Sequence, residues 1–240
     1  MDTIKRKCFF WGFILIILII IILTAVVTAD DLWYQFGKQI ANLKAENENN
    51  PVVAKVNGKA ITKRDLDIQE ATLKFIYEEQ LKEYNRFSEK MNLSPPEKLT
   101  RNEILIKLIN DEVLFLEAKE QGLEVSTDVA KKFIEDQRRM VNDVLTGKVE
   151  VANKNEVIES ERNFEQYLKG LGISEDQYWE KAVLAYQKLL TKARLEKKLL
   201  SNLPAPKTKE EIEKRHAYIE EYAKNLWKKY NVEILTENLQ

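Results

Sequence analysis

The chain has 240 residues, enough for one or two domains with a sizeable core. Apolar residues make up 44% and charged residues 32%, beside only seven glycines and five prolines. This composition favours helices over a turn-rich β fold. The formal net charge of −1 gives no general attraction to nucleic acid, and the single cysteine excludes an internal disulfide.

An uncharged apolar segment, Phe9 to Val27, follows Lys5-Arg6-Lys7. As a helix it would span roughly 28 Å, close to the hydrocarbon thickness of about 30 Å. The basic residues before it predict that the amino end stays in the cytoplasm and that the rest crosses the cytoplasmic membrane as a single-pass protein. The alternative is a signal peptide cleaved after Ala29, which would make the protein secreted. We predict retention, because the apolar run is longer than that of a usual signal peptide.

Three regions are therefore predicted along the chain. Residues 1–29 form the cytoplasmic stub and anchor, 30–50 form a juxtamembrane helix and a linker, and 51–240 form the main domain. In the second region, Leu32, Phe36, Ile40 and Leu43 recur at helical spacing.

A short strand opens the main domain. Val52, Ala54 and Val56 alternate with other residues, and Asn57-Gly58 predicts a turn before a second short strand. The extended tail Val232 to Leu235 is suited to pair with Val52 to Val56. We therefore expect one small sheet that joins the two ends of the domain.

Helices fill the remainder. Capping patterns predict helix starts near Thr62, Thr100, Ser126, Ser174 and Thr208, whereas Gly122 and the segment Gly170-Leu171-Gly172 predict helix stops. The run Ile104 to Leu116 is apolar on nearly every face and predicts the central core helix. The stretch 147–160 is weakly patterned, so an irregular excursion is expected there.

No catalytic or metal-binding constellation is apparent. His216 is the only histidine and Cys8 the only cysteine, so neither a zinc site nor a Cys/His nucleophile can be assembled. Acidic pairs alternate with lysines, as on solvated helix faces. We predict a protein that is not an enzyme and has no catalytic residue, metal or cofactor.

The long helix after Thr62 carries a stripe of large side chains. We predict that Tyr77, Tyr84, Phe87 and Met91 contact other polypeptides, because amphipathic rings and flexible thioethers adapt to many surfaces. The alternative is that the same stripe packs on the core.

Three segments in succession carry a family resemblance: VAKVNGKAITKRDLD, LEAKEQGLEVS and YLKGLGISEDQYWEKAVLAYQKLL. Together they resemble the chaperone domain of the SurA and PrsA foldases along most of Pro51 to Leu235. The resemblance implies a mainly helical domain that holds unfolded polypeptides outside the cytoplasmic membrane. Fuller members carry a parvulin isomerase domain with paired histidines, and this chain lacks both features.

The resemblance and the predicted anchor lead to one expectation of function. We expect a membrane-anchored, extracytoplasmic chaperone-like protein that binds unfolded or newly translocated polypeptides without ATP and without isomerase activity. The alternative is a dedicated membrane-anchored assembly protein with one fixed partner. Neither function involves nucleic acid.

Overall fold

The computed structural model describes residues 29–46, 50–91 and 95–238. These residues form seven α-helices, three β-strands and a short 3-10 helix at Thr236–Asn238. In chain order the elements are α1 (Ala29–Ala45), β1 (Val52–Val56), β2 (Lys59–Thr62), α2 (Lys63–Met91), α3 (Arg101–Glu120), α4 (Thr127–Leu145), α5 (Lys154–Leu171), α6 (Glu175–Leu199), α7 (Lys209–Asn225) and β3 (Glu233–Ile234). The predicted mainly helical fold is confirmed.

The predicted membrane anchor, Phe9 to Val27, lies outside the described residues. Within the ranges that are described, no helix combines the length and the apolar character needed to cross a membrane.

The three described strands form one sheet in the order β2-β1-β3. β1 runs antiparallel to both neighbours, and Ala54 pairs with Ile61 on one side and with Ile234 on the other. Asn57 and Gly58 turn the chain between β1 and β2 with positive φ angles of 50° and 79°. The predicted pairing of the two ends of the domain is therefore confirmed.

The chain divides into two compact units. Unit 1 contains the described residues of Met1–Asn42, with Thr72–Lys98 and Gln137–Glu175. Unit 2 contains Leu43–Ala71, Leu99–Asp136 and the described residues of Asp176–Gln240. Helix α1 of the predicted juxtamembrane region thus contributes most of its length to unit 1. The predicted domain boundary at residue 51 stays a prediction.

Helix α3 is the centre of unit 2, as the sequence predicts. It begins with the expected capping box, in which Thr100 N donates to Glu103 Oε2 at 2.7 Å and Glu103 N donates to Thr100 Oγ1 at 3.3 Å. Near its other end, Leu114 and Ala118 pack with Leu195 of α6 and Ala223 of α7. Gly122 follows the helix with the predicted left-handed φ of 69°.

A buried carboxylate on α3 holds the segment that leads into β3. Glu117 is 6% exposed, and its carboxylate accepts hydrogen bonds from Lys229 Nζ at 2.6 Å, Gln121 Nε2 at 2.6 Å and Tyr230 OH at 2.7 Å. The carbonyl of Tyr230 in turn accepts a bond from Asn57 N at 2.6 Å. The carboxylate therefore fixes the end of the chain close to β1.

The stability of unit 2 should depend on this carboxylate at low pH. Burial by itself raises the pKa of Glu117, but hydrogen bonds from Lys229, Gln121 and Tyr230 outweigh burial and lower the pKa from 4.5 to about 2. Because the folded pKa lies below the unfolded one, the stabilisation is present above pH 4.5 and is lost as the pH falls to about 2. The shift corresponds to about 3 kcal/mol.

We expect urea unfolding at pH 6 and near pH 3 to show this loss in the wild type. The Glu117→Gln variant should be less stable at pH 6 and should lose less stability between the two pH values. Equal losses in both proteins would assign the acid sensitivity to other groups.

Some predicted details are wrong. Helix α5 begins at Lys154, inside the stretch 147–160 that was expected to be irregular, because Asn153 O accepts the first bonds, from Glu156 N and Val157 N. Helical spacing predicts that Ala193 faces inward on α6, but Ala193 is exposed, whereas Thr191 and Leu195 are buried. The sequence predicts Tyr230 on the apolar face of the last helix, but α7 ends at Asn225, and Tyr230 is buried in a turn after it.

Candidate polypeptide-binding site

Four aromatic rings join three helical segments of unit 1. Phe36 of α1 stacks on Phe75 of α2, with ring centroids 4.2 Å apart, and on Tyr167 of α5 at 5.4 Å. Trp33 of α1 meets Phe75 edge to face at 4.7 Å. Such contacts add to the stabilisation that burial of the rings provides. This aromatic cluster (Trp33, Phe36, Phe75 and Tyr167) therefore holds α1 against α2 and α5.

Two glycines bring α1 and α5 into backbone contact. A Cβ atom on Gly37 would collide with the carbonyl oxygen of Tyr167, and one on Gly170 would collide with the carbonyl oxygen of Tyr34. Both contacts would be far shorter than the 3.0 Å below which real Cβ contacts essentially do not occur. Gly170 is thus a packing residue inside α5, whereas the helix stop predicted from this segment is Gly172, with φ 69°.

The part of α2 in unit 1 has two different faces. Phe75 and Glu79, one turn apart, are buried. Because an α-helix has about 3.6 residues per turn, Tyr77 and Tyr84 lie on the side opposite these two residues. Both tyrosines are only partly buried. The side that packs in the aromatic cluster is therefore not the side on which client contact was predicted.

The structure locates three of the four predicted binding side chains. Tyr77 and Tyr84 lie two turns apart on one face of α2, and Phe87 lies one turn further at its flank; all three are partly buried. The guanidinium carbon of Arg86 lies 5.0 Å from the centroid of the Phe87 ring. Met91 ends α2, and its side chain lies outside the described residues. We call Tyr77, Tyr84 and Phe87 the aromatic stripe; its role in binding stays a prediction.

The predicted lack of metal and cofactor sites concerns His216 and Cys8. His216 is exposed on α7, and Cys8 lies outside the described residues. Within the part of the chain that the structure describes, no three His, Cys, Asp or Glu side chains come together as metal ligands. The lack of a cofactor and of enzymatic activity stays a prediction.

Sequence reasoning missed several side chains of unit 1. Phe75 and Glu79 did not appear in the predicted stripe of α2, and Asn163 was assigned no role. Gly37 and Gly170 carried a usable signal, since a glycine inside a helical pattern often has a packing reason. No comparable signal marks Glu79 or Asn163, because polar residues at helical spacing ordinarily indicate a solvated face.

One protein-family model matches most of the chain. A family model described as the SurA-like N-terminal domain matches residues 1–190, and no parvulin domain is matched. The chain belongs to this SurA-like family. The resemblance predicted from the sequence is confirmed. No curated protein and no solved structure matches the chain significantly.

Membership of the SurA-like family suggests a chaperone-type, extracytoplasmic role and polypeptide clients. The matched region contains α1 to α5 and ends within α6. The aromatic cluster and the aromatic stripe therefore both lie within the matched region.

Proposed function

We propose that the chain is a membrane-anchored extracytoplasmic chaperone-like protein that binds unfolded or newly translocated polypeptides. It binds without ATP or a cofactor, and it is neither an enzyme nor a prolyl isomerase. The match of residues 1–190 to the SurA-like N-terminal domain carries the proposal. The predicted anchor, Phe9 to Val27, supports the membrane location, since its length and lack of charge suit a membrane helix.

The aromatic stripe is the proposed binding face. Tyr77, Tyr84 and Phe87 keep part of their surface exposed along more than two turns of α2. Tyrosine and phenylalanine rings offer large apolar contact areas, and the tyrosine hydroxyl adds a polar group that can bond to a peptide. A face that accepts many sequences cannot be highly complementary to any of them, so the affinity for each client is weak. The anchor offsets this weakness by raising the local concentration where clients emerge.

Replacing Tyr84 and Phe87 together with serine tests the stripe. The loss of two contact rings should raise the protein concentration needed to suppress aggregation of an unfolded client about tenfold, equivalent to about 1.4 kcal/mol of binding free energy. The assay is light scattering of the client. Tyr218→Ser is the matched control, because Tyr218 is an exposed tyrosine of α7 in unit 2. Urea unfolding of each variant reports its stability.

Two results would contradict the proposed face. If the double variant remains folded and suppresses aggregation as well as the wild type does, the stripe is not the binding face. If the double variant unfolds, the stripe belongs to the core. Several unrelated clients should be compared, because suppression limited to one of them would favour a dedicated assembly protein with one fixed partner.

A further inference from the structure

Unit 1 contains polar atoms that are buried without a hydrogen-bond partner. Among the described residues these atoms are Trp33 Nε1, Glu79 Oε2 and Asn163 Oδ1. Glu79 is 5% exposed and Asn163 is 4% exposed. Buried polar groups in folded proteins are nearly always paired, so each exception calls for a physical reason. All three residues belong to unit 1.

The buried polar groups of unit 2 behave differently. Asn110 Oδ1 accepts a bond from Trp227 Nε1 at 2.8 Å, and Thr191 Oγ1 accepts one from Val125 N at 3.0 Å. Glu112 and Glu117 each pair with lysines. The unpaired atoms are therefore a particular property of unit 1 within the described chain.

Glu79 and Asn163 lie at the same level of two neighbouring helices. Phe36 stacks on both Phe75 and Tyr167, so Phe75 of α2 and Tyr167 of α5 lie at a first common level along the two helices. Burial raises the pKa of Glu159, and the charges of Glu83 and Arg86 on α2 also act on it, so this part of α5 lies near residues 83–86 of α2, at a second level two turns from the first level. From the first level to the second, the residue number rises along α2 and falls along α5, so the helices are antiparallel.

Glu79 lies halfway between the two levels on α2, and Asn163 lies halfway on α5. The ring of Trp33, whose Nε1 atom is unpaired, lies against Phe75, which is one turn of α2 from Glu79. Lys82 pairs with Glu79 Oε1 and leaves Oε2 without a partner. The three atoms thus offer one donor and two acceptors in the same part of unit 1.

A polypeptide main chain has the complementary groups. Its N–H groups donate and its carbonyl groups accept, and they are the same in every client sequence. We propose that unit 1 binds the main chain of a client segment between α2 and α5. Glu79 and Asn163 accept hydrogen bonds from its N–H groups, and Trp33 donates to a carbonyl oxygen. This inference rests on the proposed function and adds a second contact region, which recognises the main chain on the side of α2 opposite the aromatic stripe.

The three atoms are covered in this structure, so a client segment reaches them only when the helices of unit 1 separate. The unpaired atoms make this separation easier, because they gain hydrogen bonds to water once they are exposed. A client main chain then takes the place of that water. Native-state hydrogen exchange of helix amides should accordingly be faster in unit 1 than in unit 2.

A peptide and its backbone N-methylated copy test the inference on the full-length protein. The peptide alternates Leu and Phe with Ser, and the copy keeps the side chains but lacks main-chain donors. We expect N-methylation to weaken binding to the wild type about tenfold. The volume-matched variant Glu79→Met with Asn163→Leu lacks both acceptors. N-methylation of the peptide should therefore have little effect on binding to this variant. Glu165→Met with Asn155→Leu is the control, because both residues are exposed on α5.

Each outcome has a separate meaning. If N-methylation weakens binding to all three proteins equally, main-chain recognition by Glu79 and Asn163 is excluded while the proposed function stands. If neither peptide binds the wild type, the proposed function fails and this inference fails with it. If the variant does not fold, a measurement on the wild-type protein still tests the inference. The Trp33 indole N–H resonance should move downfield when the peptide is added, and an unmoved resonance would overturn the inference.

Discussion

Replacing Gly170 with alanine should lower the free energy of unfolding by about 3 kcal/mol, the upper end of the usual cost of overpacking. The added methyl group collides with the carbonyl oxygen of Tyr34 and approaches the Lys38 nitrogen to 2.9 Å. Both atoms are backbone, so neither can turn away as a flexible side chain would. The loss should appear although alanine normally favours a helix over glycine by about 1 kcal/mol. Urea unfolding measures the change.

Two further variants show whether the collision is responsible. Lys169→Ala changes the adjacent exposed position of α5 and should alter stability by less than about 0.5 kcal/mol. Gly37→Ala should be about as destabilising as Gly170→Ala. The two changes together should cost less than their sum, since either one already displaces α1 from α5. A stable Gly170→Ala protein would mean that the helices do not cross at these glycines.

The second large effect should come from Glu117→Gln, with a loss of about 3 kcal/mol, the lower end of the cost of removing one partner of a buried ion pair. The amide keeps the shape of the side chain but removes the charge that Lys229 and Tyr230 contact. The lower end applies because Glu120 still contacts both partners in the variant. Lys229 Nζ lies 3.0 Å from Glu120 Oε2, and Tyr230 OH donates a hydrogen bond to Glu120 Oε2 at 2.8 Å. Urea unfolding gives the size of the effect, and hydrogen exchange shows whether β3 separates from β1.

Glu120→Gln is the matched control. Glu120 contacts the same two partners, but its side chain is 57% exposed, so solvent screens its ion pair and the loss should be much smaller than that from Glu117→Gln. The two variants differ mainly in how far the lost charge is buried. Equal losses from both would show that burial of Glu117 does not decide how firmly the end of the chain is held.

Much of the fold was predictable because its signals are local. The Thr100 and Glu103 capping box, the Asn57-Gly58 turn and the left-handed Gly122 each depend on a few neighbouring residues. The pairing of β3 with β1 was predicted from two extended segments at the two ends of the domain and from the family resemblance. The start of α5 was missed, since its first turns expose mostly polar side chains and offer little apolar periodicity.

The candidate site was only partly predictable. The sequence identified α2 and its aromatic stripe, yet periodicity could not show which side chains of the helix would be buried. The structure buries Phe75 and Glu79 opposite Tyr77 and Tyr84. Helix α2 also contributes to both compact units, so its buried side chains change along its length.

By itself the sequence determined the helical class, the positions of the caps and turns, the strands that pair and the SurA-like family. Those properties follow from hydrogen bonds between near neighbours and from apolar spacing, which can be read along one chain. Only the tertiary structure showed the crossing of Gly37 and Gly170, the burial of Glu117 and the unpaired atoms of Trp33, Glu79 and Asn163. These features depend on which atoms from distant segments meet, and a one-dimensional pattern does not contain those distances.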